Sequence, residues 1–202
     1  MTAIEGIVIP SLPMGFSWLR PPVDWSLDGG ALRIGAGPKT DWFADPAGGV
    51  PVLNAPALVG RPPDEDFTLL ARVRIDAAST FDAGVLFVHG DDKTWAKHCL
   101  ELSPQGQPMI VSVVTRGVSD DCNSQTVEGG EVWLRLARAN GVFAFHASRD
   151  GERWELVRFF ALPVRDIAVG FVAQSPTGEG CAASFRDLAY ANRRLADPRD
   201  GT

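Results

Sequence analysis

Apolar residues recur at every second position in segment after segment of this chain and almost nowhere at helical spacing. That restricts the fold to one built of strands. In the run DFTLLARVRI, Phe67, Leu69, Ala71, Val73 and Ile75 fall on one face and Thr68, Arg72 and Arg74 on the other, because successive side chains of a strand alternate. Only Leu70 breaks the pattern. EVWLRLAR repeats it, with Val132, Leu134 and Leu136 on one side and Arg135 opposite. Further strands are predicted around 16–19, 31–34, 83–88, 94–102, 109–114, 142–147, 154–159, 167–173 and 182–189. Turn signals separate them, among them Asp28-Gly29-Gly30, Gly90-Asp91-Asp92, Gln105-Gly106, Asn140-Gly141 and Asp150-Gly151. The last two predict a meander from Val132 to Phe159. About a dozen strands without a long helix predict an all-β sandwich of two packed antiparallel sheets.

With 202 residues, 45% of them hydrophobic and 22% charged, the chain suits one domain with its own core. That domain is expected over 1–191, with 192–202 as a loose C-terminal tail and the Gly/Pro-rich segment 45–63 as a long surface excursion. A formal net charge of −6 without any basic run argues against nucleic acid as a partner. No window is apolar enough for a membrane span, and the first twenty residues lack the basic start of a signal peptide. Three cysteines, Cys99, Cys122 and Cys181, are an odd number at irregular spacing. They suit reduced thiols, so a cytoplasmic location is expected. The histidines His89, His98 and His146 are too scattered for a metal motif, and no Asp-x-Asp-x-Asp-Gly loop is present. Neither a metal nor another cofactor is therefore expected.

The stretch FDAGVLFVHGDDKTWAKHCLELSPQGQPMIVSVVT, residues 81–115, carries the densest chemistry. Its middle strand places Trp95, Lys97, Cys99 and Glu101 on one face, between neighbours that are almost wholly apolar. An aromatic, a cation and a carboxylate in such a sheet read as the floor of a groove. If residues 90–93 form a four-residue turn, Leu86 faces Lys97 and Asp82 faces Glu101, with Cβ atoms ~4.5–5.5 Å apart. A slip of one residue would abolish the carboxylate pair.

Several pieces in order carry a family likeness: Thr40-Asp41-Trp42-Phe43, FDAGVLFVHGDDKTWAKHCLE, the Ser-Val-Val-Thr at 112–115, WLRLAR, the Ser148–Trp154 hairpin and Val169–Pro176. Together they resemble the regulation-of-enolase-like family of concanavalin A-like, lectin/glucanase-type jelly rolls, over about Phe16 to Tyr190. The resemblance implies a jelly-roll β-sandwich. The family's name also suggests a protein partner, a regulatory module acting on a metabolic enzyme. Where the family tends to carry Asp-Trp-Ser after the Val-Val-Thr strand, this chain reads Ser119-Asp120-Asp121-Cys122-Asn123-Ser124.

The groove predicts non-catalytic binding of a small carbohydrate-like ligand. Trp95 would stack on it while Lys97, Glu101 and Asp82 orient hydroxyls, with Arg135 and Gln174 contributing from neighbouring strands. Against stacking stands the simpler role of a sheet-packing tryptophan. Were the protein an enzyme, Glu101 and Asp82 would be its carboxylates, since retaining glycosidases hold two carboxyls about 5–5.5 Å apart. The Glu-x-Asp-x-x-Glu signature of jelly-roll glucanases is absent.

Overall fold

A computed structural model describes residues 6–202. Its strands are β1 (Ile7–Val8), β2 (Gly15–Arg20), β3 (Asp24–Asp28), β4 (Ala31–Ala36), β5 (Trp42–Phe43), β6 (Val52–Leu53), β7 (Ala57–Gly60), β8 (Phe67–Asp76), β9 (Ala83–Asp91), β10 (Thr94–Leu102), β11 (Pro108–Arg116), β12 (Val118–Thr126), β13 (Glu131–Ala139), β14 (Val142–Ser148), β15 (Glu155–Ala161), β16 (Ala168–Gln174) and β17 (Cys181–Ala191). One sheet runs β1-β2-β7-β16-β9-β10-β11-β12, the other β15-β14-β13-β8-β17-β4-β3, and β5 pairs with β6 in a small ribbon. This is the expected all-β sandwich. Among the described residues no helix is long and apolar enough to cross a membrane.

The alternation read from sequence sets which side chains meet between the sheets. On β8, Phe67, Leu69, Ala71 and Val73 enter the central core, where they meet Leu86, Val88, Ala96 and Leu100 from β9 and β10. Each large apolar side chain buried there stabilises the fold by about 1.5–3 kcal/mol. Leu70, the residue out of pattern, stays partly exposed. The meander forms as β13-β14-β15, and its Asn140-Gly141 turn takes positive φ at both residues, 51° and 77°. That is the geometry a two-residue hairpin needs to match strand twist.

Three expectations change. Segment 45–63 is a surface excursion only in its first half, where 45–54 are largely exposed; beyond it β7 pairs with both β2 and β16 and Ala57 and Leu58 are fully buried. A four-residue strand between prolines is too short to show a period. Its fit is tight: a Cβ on Gly170 would lie 1.9 Å from the Leu58 carbonyl oxygen, so only glycine admits β7 there. Residues 119–124, where no strand is predicted, belong to the edge strand β12, most of whose side chains are exposed. The tail is not loose either. Leu195 is buried against Ala137 and Ala144, His146 Nε2 donates to the Pro198 carbonyl at 2.7 Å, and Arg135 Nη2 donates to the Gly201 carbonyl at 2.8 Å.

Candidate functional site

On β10 the residues between those facing the core point to the outer face of the larger sheet, as alternation requires. Trp95 and Cys99 join Phe87, Val85, Val111 and Val113 in a second apolar cluster there. The chain then lays a strap over this face. Thr40 exchanges backbone hydrogen bonds with Ser175, both 3.1 Å, at one end. At the other, Ser119 N–H donates to the Ala44 carbonyl at 2.8 Å, and Ala44 N–H donates to Ser119 Oγ at 2.9 Å. Between these anchors Trp42 plunges inward until its ring centre lies 5.1 Å from Phe87 and 6.0 Å from Trp95. Its indole N–H is satisfied by the Ala55 carbonyl at 2.9 Å.

The strap divides the face. Beneath it Trp95 is sealed, with no exposed surface, so its expected role as a stacking platform gives way to packing. It also lies 5.8 Å from the Lys97 ammonium, a favourable cation–π separation. Beside the strap, a hollow of about 350 Å³ opens over β10, β11 and β12. Its floor follows the ladder rows: Lys97 faces Val113 and Val113 faces Asp121, Val111 faces Asn123, and Glu101 faces Met109. Gln174, Phe43 and Phe81 form its walls.

Lys97 is almost fully buried, and two of its three ammonium hydrogens have acceptors. Its ammonium donates to Asp41 Oδ1 at 3.0 Å and to Gln174 Oε1 at 2.9 Å. Burial alone would lower its pKa, but Asp41, Cys99 and Glu101 outweigh that and raise it. Asp41 is fixed by the strap, its own Oδ1 accepting from Trp42 N–H at 2.7 Å. Glu101 is 8% exposed, and no hydrogen bond from the described residues reaches its carboxylate. Burial pushes its pKa up to about 7, with Lys97 opposing and Asp41 and Asp121 adding to the rise. The Cys99 thiol is driven upward by burial despite the nearby Lys97, which leaves it a poor nucleophile.

Phe81 is a further mark of the site. It is 39% exposed and holds φ at 72°, a conformation costly for a residue with a Cβ. Three hydrogen bonds enforce it. Phe81 N–H donates to the Leu102 carbonyl at 2.8 Å, Gln174 Nε2 to the Phe81 carbonyl at 3.3 Å, and Thr177 Oγ1 to the Thr80 carbonyl at 2.6 Å.

Of the six residues expected to share a groove, Lys97, Glu101 and Gln174 do so. Asp82 does not face Glu101; Ala83 does. The connection between β9 and β10 is shorter than four residues, which slips the pairing, and a bulge at Thr94 and Trp95 takes back only part of that slip, leaving the register one residue from the expected one. Asp82 then falls on the face of Gly84, whose ideal Cβ would touch Val73 and Ala183 of the opposite sheet. Its carboxylate is spent on Ala78 N–H, Ser79 N–H and Ser175 Oγ at 3.0, 2.9 and 2.6 Å. Arg135 lies on the outer face of the other sheet, 4.3 Å over the Trp154 ring. Asp41, Asp121, Asn123 and Phe81 were not anticipated as site residues. Asp41 and Phe81 had a signal, inside the Thr40–Phe43 and FDAGVLFVHGDDKTWAKHCLE pieces of the family likeness.

The chain is 30% identical to Regulation of enolase protein 1 of Saccharomyces cerevisiae over 175 residues, 85% of this chain and 86% of that one. Among solved structures it resembles a functionally unknown protein from Saccharomyces cerevisiae with a TM-score of 0.80 and 28% identity, covering 89% of this chain and 97% of the other. It also resembles the GH43 protein BlXynB from Bacillus licheniformis, with a TM-score of 0.68 and 17% identity over 88% of this chain and 37% of that one. At that identity the likeness concerns the sandwich alone. The family model that matches, a protein family of unknown function, DUF1349, runs over residues 18–193. The strand pattern, the strap motif and this match agree, and the chain belongs to the DUF1349 family.

Proposed function

We propose that the hollow beside the strap binds a small carbohydrate-like ligand without turning it over. The observation that carries this reading is a nine-tenths-buried Glu101, without a hydrogen-bond partner among the described residues, on the floor of a hollow of about 350 Å³. Its apolar walls are Phe43, Phe81 and Met109. Small-molecule sites span about 300–1,000 Å³ and combine apolar walls with a few convergent polar groups. Glu101, Asp121, Asn123 and Gln174 supply acceptors and donors for hydroxyls, and Lys97 holds Gln174 in place. Phe81, rather than Trp95, offers the aromatic face to a ring. Catalysis by Glu101 with Asp82 draws no support from the geometry, because the two carboxyls sit on opposite faces of the sheet.

Isothermal titration with a panel of neutral mono- and disaccharides tests the reading. We expect saturable binding that weakens about tenfold or more in Asn123→Ala, a loss of about 1.4 kcal/mol. No binding by any sugar, or binding indifferent to Asn123→Ala and Phe81→Gly alike, overturns it. The second reading, a regulatory module docking on a metabolic enzyme, is favoured by the 30% identity to a protein named for regulation of enolase. Co-purification of such an enzyme with the wild-type chain, together with a null sugar panel, would put it first.

A further inference from the structure

We propose that the hollow selects a polyhydroxylated ligand bearing a primary amine, an amino sugar in chemical class, over its neutral and phosphorylated counterparts. The inference rests on the sugar-binding reading and names the ligand class for that site. Among the described residues three carboxyl groups, Asp41, Glu101 and Asp121, line the hollow, and Lys97 is the one cation that lines it with them. The Lys97 ammonium is committed to Asp41 and Gln174. At the rim, Lys39 donates its ammonium to the Thr177 carbonyl. Among the described residues no cation therefore forms a direct ion pair with Glu101 or Asp121, and Lys97 acts on Glu101 only from beyond contact. Both carboxyl groups project to the outer face, since Lys97, Val113 and Asp121 form one cross-strand row and Glu101 shares the face of Lys97.

Burying a carboxylate without a partner is costly, and a cation that arrives with the ligand offsets the cost. A phosphate entering the same space would meet two acidic groups and desolvate against them. An ammonium would find acceptors on Glu101 and Asp121 in charge-assisted hydrogen bonds, while the acceptor and donor pair of Asn123 remains for hydroxyls. The groups facing Glu101 are Lys97 and Cys99 on its own strand, Asp121 across the sheet and Asp41 from the strap. With its pKa raised to about 7 by burial first of all, Glu101 gains its charge as the medium passes neutrality. The preference for the amine should grow from pH 6 to pH 8 accordingly.

The test is competitive calorimetry at pH 6, 7 and 8 with 6-amino-6-deoxyglucose, glucose and glucose 6-phosphate, and the same series built on galactose. We expect the amine to bind about tenfold or more tighter than the parent hexose at pH 8, with the phosphate weakest. Glu101→Gln, checked for folding by its thermal transition, should remove the pH dependence of that preference and most of the preference itself. Parent hexose binding as tightly as the amine, or the phosphate binding tighter, overturns the inference and leaves the sugar-binding reading standing. Failure of every ligand in both series overturns the sugar-binding reading and the inference with it.

Discussion

Replacing Glu101 by Gln keeps the shape of the side chain and removes its charge, and the fold should gain stability as pH rises above 4.5, a gain that levels off above about pH 7. In the folded state the Glu101 carboxyl holds its proton up to about pH 7, against an ordinary value of 4.5. The sign follows from proton binding. Between those two values the unfolded chain ionises and the folded chain does not, so the stability Glu101 contributes is complete below pH 4.5. It is lost as pH rises through 7. Integrating over that interval gives about 3 kcal/mol lost at pH 8 and under about 1 kcal/mol at pH 5. The wild type alone hides this slope, because burial lowers both His98 and His146 to about 4. Those histidines stay neutral in the fold yet charge in the unfolded chain below 6.5, which costs stability on acidification. The difference between variant and wild type cancels the histidines and isolates Glu101. Urea unfolding at pH 5, 6, 7 and 8 should show Glu101→Gln gaining progressively, to about 3 kcal/mol at the top, a rise of several degrees in Tm for a chain of this size. An equal effect at pH 5 and pH 8 would refute the argument, since it would mean the carboxyl titrates as an exposed one does.

Two further perturbations probe the frame around the site. At Phe81, where φ is 72°, Gly should leave stability within about 1 kcal/mol of wild type, because relief of strain offsets lost contact. Val at the same position should cost a further 1–2 kcal/mol, roughly; equal denaturation midpoints for Gly and Val would show that the backbone is not held there. Deleting residues 192–202 removes the cover over His146, and its pKa should climb from about 4 toward 6.5, as followed by NMR titration of the ring. An unchanged His146 titration would mean that the sheet, not the tail, buries it.

The sandwich was legible because period-two alternation is a local signal, repeated wherever a strand has one face in the core. β7 escaped because four residues bracketed by prolines cannot establish a period, although the strand is buried on both faces. β12 escaped for the opposite reason: as an edge strand it leaves Asp120, Asp121 and Asn123 exposed, and a run of polar residues reads as a loop. Charged edges of this kind prevent further strand pairing, so the feature that obscured the strand is one that keeps it at the edge.

The site divides along the same line. Alternation on β10 is enough to place Lys97 and Glu101 on one face, and both line the hollow. What alternation does not fix is register: the short connection after Asp91 slips the pairing past the expected one, the bulge at Thr94 and Trp95 restores only part of it, and Asp82 becomes a cap for the Ala78–Ser79 turn instead of a partner of Glu101. Nor does it reveal which part of a face is open. That is decided by the strap from Thr40 to Ala44, more than fifty residues earlier in the chain, which seals Trp95 under Trp42 and brings Asp41 to Lys97. The strap satisfies the cation and leaves the carboxylate. A sheet face that would otherwise be a neutral, closed layer thereby acquires one buried acid with room above it, and that imbalance is the chemistry the site has to offer a ligand.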